Sequence, residues 1–132
     1  MAGLTCTCQH LPGVTVIAAG GDLDHTTVGQ FDVFVSESRQ RPGDHLVFDL
    51  AEVRFMDSAG LRALLNVHAF AGRHGGTVRL AVLQPMPARL VRVTRVEEHL
   101  PVHGTVDQAL TAALSTVETP RQPASGRDAP PS

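Results

Sequence analysis

Residues 45–65 constrain this chain more than any other stretch. The segment 45–50, His-Leu-Val-Phe-Asp-Leu, is short and apolar and reads as a strand covered on both faces, as central strands flanked by helices are. Positions 61, 64, 65, 68 and 69 then recur at i, i+3, i+4, i+7 and i+8, which is one face of an amphipathic helix. Asp57 and Ser58 therefore stand where a buried strand hands over to a helix. Ser58 is expected at or next to the N-cap, where a hydroxyl can accept a bond from an unpaired N–H of the first turn. Gly60, in that first turn, costs roughly 0.5–1 kcal/mol relative to alanine, and its presence implies that another element approaches this backbone closely.

The rest of the chain repeats the strand-then-helix pattern. Residues 4–11 and 14–19 are two β-type runs separated by Pro12-Gly13, which predicts an N-terminal hairpin. From Thr26 or Thr27 a helix is expected, because Val28, Phe31, Phe34, Val35 and Ser38 track one face and 41–44 stops it. Residues 72–76 end the Ser58 helix, and 77–83 read as the next strand. Leu90, Val93 and Val96 or Glu97 mark a weaker helix after Pro85 and Pro87, and 100–103 a brief edge strand. Thr105 then caps a last helix through Val106, Ala109, Leu110, Ala113 and Leu114. Strands alternating with helices give an α/β fold: a single domain over 1–117 with a mixed, mostly parallel sheet of about four to five strands and about four helices. Residues 118–132 carry four of the nine prolines and almost nothing apolar, and are expected to be a disordered tail.

Composition excludes several classes of function. At 132 residues the chain suits one domain with a real core, built from Val, Leu, Ala and five Phe because Trp and Tyr are missing. A net charge of −2 offers no basic field for a phosphate backbone, so no nucleic-acid partner is expected. No apolar run approaches the roughly 18 residues that span a bilayer and no signal peptide is visible, so the expectation is a cytoplasmic protein without a membrane partner. Cys6 and Cys8 are two apart in a strand, which points both to one face and places them poorly for bridging; they read as reduced thiols. A hydrolase elbow would need glycine two residues before Ser58, where Met56 stands. Pro101 breaks the helix on which His99 and His103 would have to share a metal, and the phosphate loop Gly-x-x-x-x-Gly-Lys is lacking. Neither a cofactor, a metal nor catalysis is expected.

Two segments carry a resemblance. Phe55-Met56-Asp57-Ser58-Ala59-Gly60-Leu61 closely resembles the signature of STAS domains of the anti-anti-sigma type, the bacterial anti-sigma factor antagonists. Gly20-Gly21-Asp22-Leu23-Asp24-His25-Thr26-Thr27 is similar to that family's Gly-Glu-Leu-Asp element, with Asp22 in place of glutamate. The resemblance runs from about Leu4 to about Leu114. It implies that Ser58 is phosphorylated by an anti-sigma factor that is also an ATP-binding serine kinase, and that a serine phosphatase resets it. It further implies a partner-binding surface formed by Asp22, Asp24, Asp57, Ser58, Ala59, Gly60 and Leu61, on a protein that is a monomer or weak dimer. Unmodified, such a protein binds the anti-sigma factor and so releases a sigma factor.

Two features depart from the family pattern. Ala59 replaces the serine or threonine that often follows the acceptor, and Arg54-Phe55-Met56 varies a usually aliphatic approach. The alternative, from a different class, is a STAS-like scaffold or accessory subunit that is never phosphorylated, in a stress-sensing assembly or in lipid transport. Phosphate transfer by a kinase separates the two.

Overall fold

A computed structural model describes residues 3–118. The segment expected to be a disordered tail lies outside the described residues, except for Glu118, which closes the last helix. The elements in order are β1 (Leu4–Leu11), β2 (Val14–Leu23), α1 (Val28–Ser38), β3 (His45–Met56), α2 (Ser58–Arg73), β4 (Val78–Ala81), α3 (Pro85–Val93), a 3-10 turn (Val96–Glu98), β5 (Val102–His103) and α4 (Val106–Glu118). The five strands form one sheet in the order β1-β2-β3-β4-β5. Only the β1–β2 hairpin is antiparallel; the other neighbours are parallel, as helix crossovers require.

Alternation along the strands divides the apolar residues between two layers. Ile17, Leu46, Phe48, Leu50 and Leu80 face α1, α2 and α3, where Phe31, Leu64 and Val91 meet them. Phe31 and Phe48 pack with ring centroids 5.5 Å apart. On the other face Val14, Val16, Val47 and Ala81 are covered by Ala109 and Ala113 of α4, with Leu110 and Leu114 at its margin. The α4 stripe read from the sequence is thus the one that packs. Thr105 Oγ1 accepts from the Gln108 N–H at 3.0 Å, the expected cap.

Several expected boundaries move, each for a local reason. β3 does not stop at residue 50 but runs to Met56, with two register shifts against β2 that place extra β3 residues in the ladder. Those bulges break the strict apolar alternation that would have advertised the strand. β4 ends at Ala81 instead of residue 83, because Val82 turns to φ +60°, although its N–H still reaches the His103 carbonyl at 3.0 Å. On α3 the inward residues are Pro87 and Val91, while Val93 is 68% exposed. Arg95, at φ +64°, separates Val96 from the helix and turns it into the core.

The inward face of α2 is also rotated from the expected stripe. Gly60, Leu61, Ala63, Leu64, Val67 and Ala71 are buried, whereas Leu65 and His68 are only half-buried and Ala69 is exposed. Small residues let α2 lie close to the sheet, and closest at Gly60. A Cβ built there would stand 2.2 Å from the Leu23 carbonyl oxygen, in backbone that cannot swing aside. Helix propensity alone predicts that Gly60→Ala stabilises by about 1 kcal/mol. The contact predicts the opposite sign, a loss of about 1–3 kcal/mol as α2 is pushed off β2. Urea unfolding of the two proteins decides between them.

Candidate functional site

β2 and β3 end side by side, with Leu23 opposite Met56 in the parallel register. The loops that follow them must therefore emerge together, and α1 and α2 start next to each other. The Asp57 N–H reaches the Leu23 carbonyl at 3.3 Å, tying the second loop to the first. Gly21 lets β2 reach this point beneath the chain's N-terminal segment: it sits at φ +101°, and a Cβ there would be 2.1 Å from the Gly3 carbonyl oxygen.

Asp57 is the N-cap of α2. Its Oδ1 accepts the Gly60 N–H at 3.0 Å, and its Oδ2 accepts both the backbone N–H of His25 at 3.1 Å and a ring interaction with His25 Nδ1 at 3.2 Å. Partial burial by itself would raise the Asp57 pKa. The N–H groups of Gly60, His25 and Ala59 and the His25 ring outweigh it, and the carboxyl lies below its usual range. Asp24 is engaged locally: the Thr26 hydroxyl donates to it at 2.6 Å and the Thr26 N–H at 2.9 Å. Those two bonds hold its pKa low, while the nearby Asp57 charge pushes the other way.

Ser58 occupies the first position of α2 and is exposed. The cap expected of its hydroxyl is supplied by Asp57 instead, and among the described residues the Ser58 side chain has no hydrogen-bond partner. It opens onto a cavity of about 390 Å³ between α1 and α2, where Ser58, Ala59, Arg62 and Asn66 face Val28 and Asp32. Of the other residues singled out in the sequence, Asp24 and Asp57 come together at this corner. Asp22 is half-buried behind it; its N–H bonds to the Gly3 carbonyl and its carbonyl accepts the Thr27 hydroxyl, both at 2.9 Å, so its backbone shapes the loop. Gly60 and Leu61 are buried and act by seating α2, with Leu61 only 6% exposed.

Sequence reasoning missed His25. Its partner lies 32 residues away, and only the β2–β3 register, which no local pattern prints, brings the two together. Among the described residues no group of three or more His, Cys, Asp or Glu is arranged to hold a metal ion, and no helix is long and apolar enough to cross a membrane. Cys6 is half-buried, its thiol pKa pushed up by desolvation, and Cys8 is exposed; both are unpaired.

A family model for the STAS domain matches residues 6–109. This chain belongs to the STAS-domain family. The STAS domain is 29% identical over 104 residues to a protein named anti-sigma F factor antagonist from Paenibacillus polymyxa, covering 78% of this chain and 89% of the relative. Among solved structures it resembles an anti-sigma factor antagonist from Mycobacterium paratuberculosis, with a TM-score of 0.76 and 26% identity over 84% of this chain and 94% of that one. It shares its fold with the anti-sigma factor antagonist SpoIIAA in its unphosphorylated form, at a TM-score of 0.69 and 17% identity over 84% and 97% of the two chains. These relatives carry the names of regulators, not of enzymes.

The Asp57 cap has a pH signature. Folding depresses its pKa, so its contribution is whole above about pH 4 and is lost as the pH falls through the lower, folded-state value. Asp57→Ala is expected to cost about 1 kcal/mol at pH 7 by urea unfolding. The gap to wild type narrows as the pH falls below about 4.

Proposed function

We propose that this STAS domain is an anti-sigma factor antagonist with Ser58 as its regulatory phosphate acceptor. The observation that carries the reading is the division of labour at the start of α2: Asp57 holds the helix, and the exposed Ser58 hydroxyl has no structural duty. In the unmodified state the Asp24–Asp57 corner and the Ser58 end of α2 dock an anti-sigma factor that is also a serine kinase, and the sigma factor it held is released.

The kinase supplies ATP and the catalytic groups. The Ser58 Oγ attacks the γ-phosphorus, the bond from that phosphorus to the β–γ bridging oxygen breaks, ADP leaves, and the hydroxyl proton passes to the kinase. A serine phosphatase hydrolyses the ester and restores the alcohol. The phosphoryl group adds about −1.5 to −2 charge at neutral pH. A helix N-terminus accepts such a charge with about 0.3–2 kcal/mol in its favour, so the fold is kept.

Binding responds differently. Two like charges about 6 Å apart repel by roughly 3 kcal/mol at an effective dielectric near 20, and a surface shaped for a hydroxyl must also admit a bulky dianion. A loss of about 3–4 kcal/mol is a factor of several hundred in affinity. The carboxylates of Asp24 and Asp57 already stand at this corner, so the added charge deepens a local negative field.

The test combines mass spectrometry with binding. Incubation with ATP and the ATP-binding anti-sigma factors of the organism that encodes this chain adds one phosphate, located on Ser58. Ser58→Ala unfolds within about 0.5 kcal/mol of wild type and keeps its affinity without accepting phosphate. Ser58→Asp binds more weakly than Ser58→Ala, though less weakly than the phosphorylated protein. Phosphate found at another residue, or full-strength binding by the phosphorylated form, overturns the reading.

A further inference from the structure

The two edges of the sheet are finished differently. β5 is two residues long, a short edge that offers a second strand little to pair with. β1 is eight residues long and pairs with β2 in one unbroken register. It reads Leu-Thr-Cys-Thr-Cys-Gln-His-Leu, with no acid, lysine, arginine or proline. Bulges, charges and prolines are the usual devices that stop an edge from recruiting another strand, and β1 has none of them.

The backbone groups of β1 point both ways. The Gly3 carbonyl accepts the Asp22 N–H at 2.9 Å, whereas the Leu4 carbonyl accepts the Gln30 side chain at 2.8 Å. Antiparallel alternation then directs Thr5, Thr7 and Gln9 at β2. It turns the N–H and C=O groups of Cys6, Cys8 and His10 outward, where they have no partner among the described residues. Beside this edge α1 presents a stripe of its own. Gln30, Val33, Phe34 and Glu37 recur at i, i+3, i+4 and i+7, and the reach of Gln30 to Leu4 places them on the β1 side of the helix. Val33 is 56% exposed, and Phe34 is half-buried at the margin of the core. Val28 and Asp32, by contrast, face α2 across the cavity beside Ser58.

We propose that β1 pairs antiparallel with β1 of a second copy of this chain, about a two-fold axis at Cys8, joining two five-stranded sheets into one. The ends of the free window set the register: Gln30 crosses the edge at Leu4, and Pro12 has no N–H to give. Centring the pair on Cys8 sets Leu4 against the partner's Pro12, Cys6 against the partner's His10 and Cys8 against the partner's Cys8, with about six N–H···O bonds. Gln30 lies by Leu4 and the His10 ring meets the Ser38 carbonyl at 2.7 Å, so the middle of β1 runs beside the middle of the α1 stripe. The two α1 helices therefore meet antiparallel through Val33 and Phe34, with Glu37 toward the partner's Gln30.

A second copy fits this edge because both surfaces complement themselves. A strand without acids, lysines or arginines meets no like charge across the axis, and an isologous contact closes at two copies. The footprint is small. Eight strand residues span about 27 Å and the strand and helix layers are about 15 Å deep, which gives about 400 Å² per partner against about 800 Å² in a standard interface. Association is weak and reversible as a result. Because α1 stands between the axis and α2, both Ser58 hydroxyls stay open, and the inference does not rest on the reading of Ser58. Cys8 is exposed and reports on the axis: facing Cα atoms in a hydrogen-bonded pair are about 5.5 Å apart, a span that a disulfide bridges.

The experiment is sedimentation equilibrium of the full chain under reductant, from about 5 to about 500 µM, with melting curves to show that each variant is folded. Wild type is compared with Cys8→Lys, Val33→Glu and, as a control, Val93→Glu, another exposed valine, on α3. Wild type is expected to pass from monomer to dimer across this range. Cys8→Lys sets two ammonium groups against each other and Val33→Glu two carboxylates, and each is expected to raise the dissociation constant at least tenfold. Val93→Glu is expected to associate as wild type. In a second arm Cys6→Ser is oxidised with diamide, which takes up the two protons and two electrons that a pair of thiols gives up in forming a disulfide. A dimer linked from Cys8 to Cys8 is expected in the peptide map, at a yield that Val33→Glu in the same background cuts at least fivefold. Wild type that stays monomeric at the highest concentration overturns the proposal. So do a dimer that Cys8→Lys leaves intact, equal weakening by Val93→Glu, and growth beyond two copies. Loss in Cys8→Lys alone upholds the strand pairing and removes the helix contact. Crosslinking that Val33→Glu does not reduce, without a dimer under reductant, is chance collision and overturns the pairing as well.

Discussion

The carbonyl of Leu23 is the point on which the site is built. It ends β2, accepts the Asp57 N–H, and meets the bare backbone of Gly60 at a distance no side chain could share. One oxygen thus fixes the start of α2 relative to the strand before α1. The parallel pairing of Leu23 with Met56 brings the two loops to the same place, and the close contact holds them there. Every feature of the corner follows: the reach of His25 to Asp57, the nearness of Asp24, and the outward direction of Ser58.

Much of this architecture was legible in the residues. The hairpin edges around Pro12-Gly13, the inward face of α1 and the α4 stripe could be read because each is set by local alternation or a 3.6-residue period with clear punctuation. Gly60 was legible as a sign of close approach, since glycine in a first helical turn has a cost that something must offset. What it touched was not, because Leu23 is remote in sequence.

The misplaced boundaries share a cause. The apolar pattern ends the expected β3 at residue 50 because Glu52 and Arg54 interrupt it, and the bulges that accommodate them are a property of the β2–β3 ladder, not of either strand alone. The expected α2 face is rotated from the buried one because Leu65 and Ala69 count as apolar while Gly60, Ala63 and Ala71 pack by their small size against the sheet. The pattern places Ser58 at or next to the N-cap, and it stands next to it; which of Asp57 and Ser58 supplies the capping oxygen is not legible, because both are good capping residues and neighbours differ only in backbone geometry. The role of His25 is not legible at all, since its contact with Asp57 is assembled across two elements.

The manner in which Asp57 caps α2 bears on how any anion attached next door would be received. Its carboxylate already claims the Gly60 N–H and is fed by that of Ala59, the donors an adjacent anion would otherwise fold back upon. With those donors taken, a newcomer at Ser58 would meet the helix through its dipole alone and stay hydrated and outward, legible to whatever approaches.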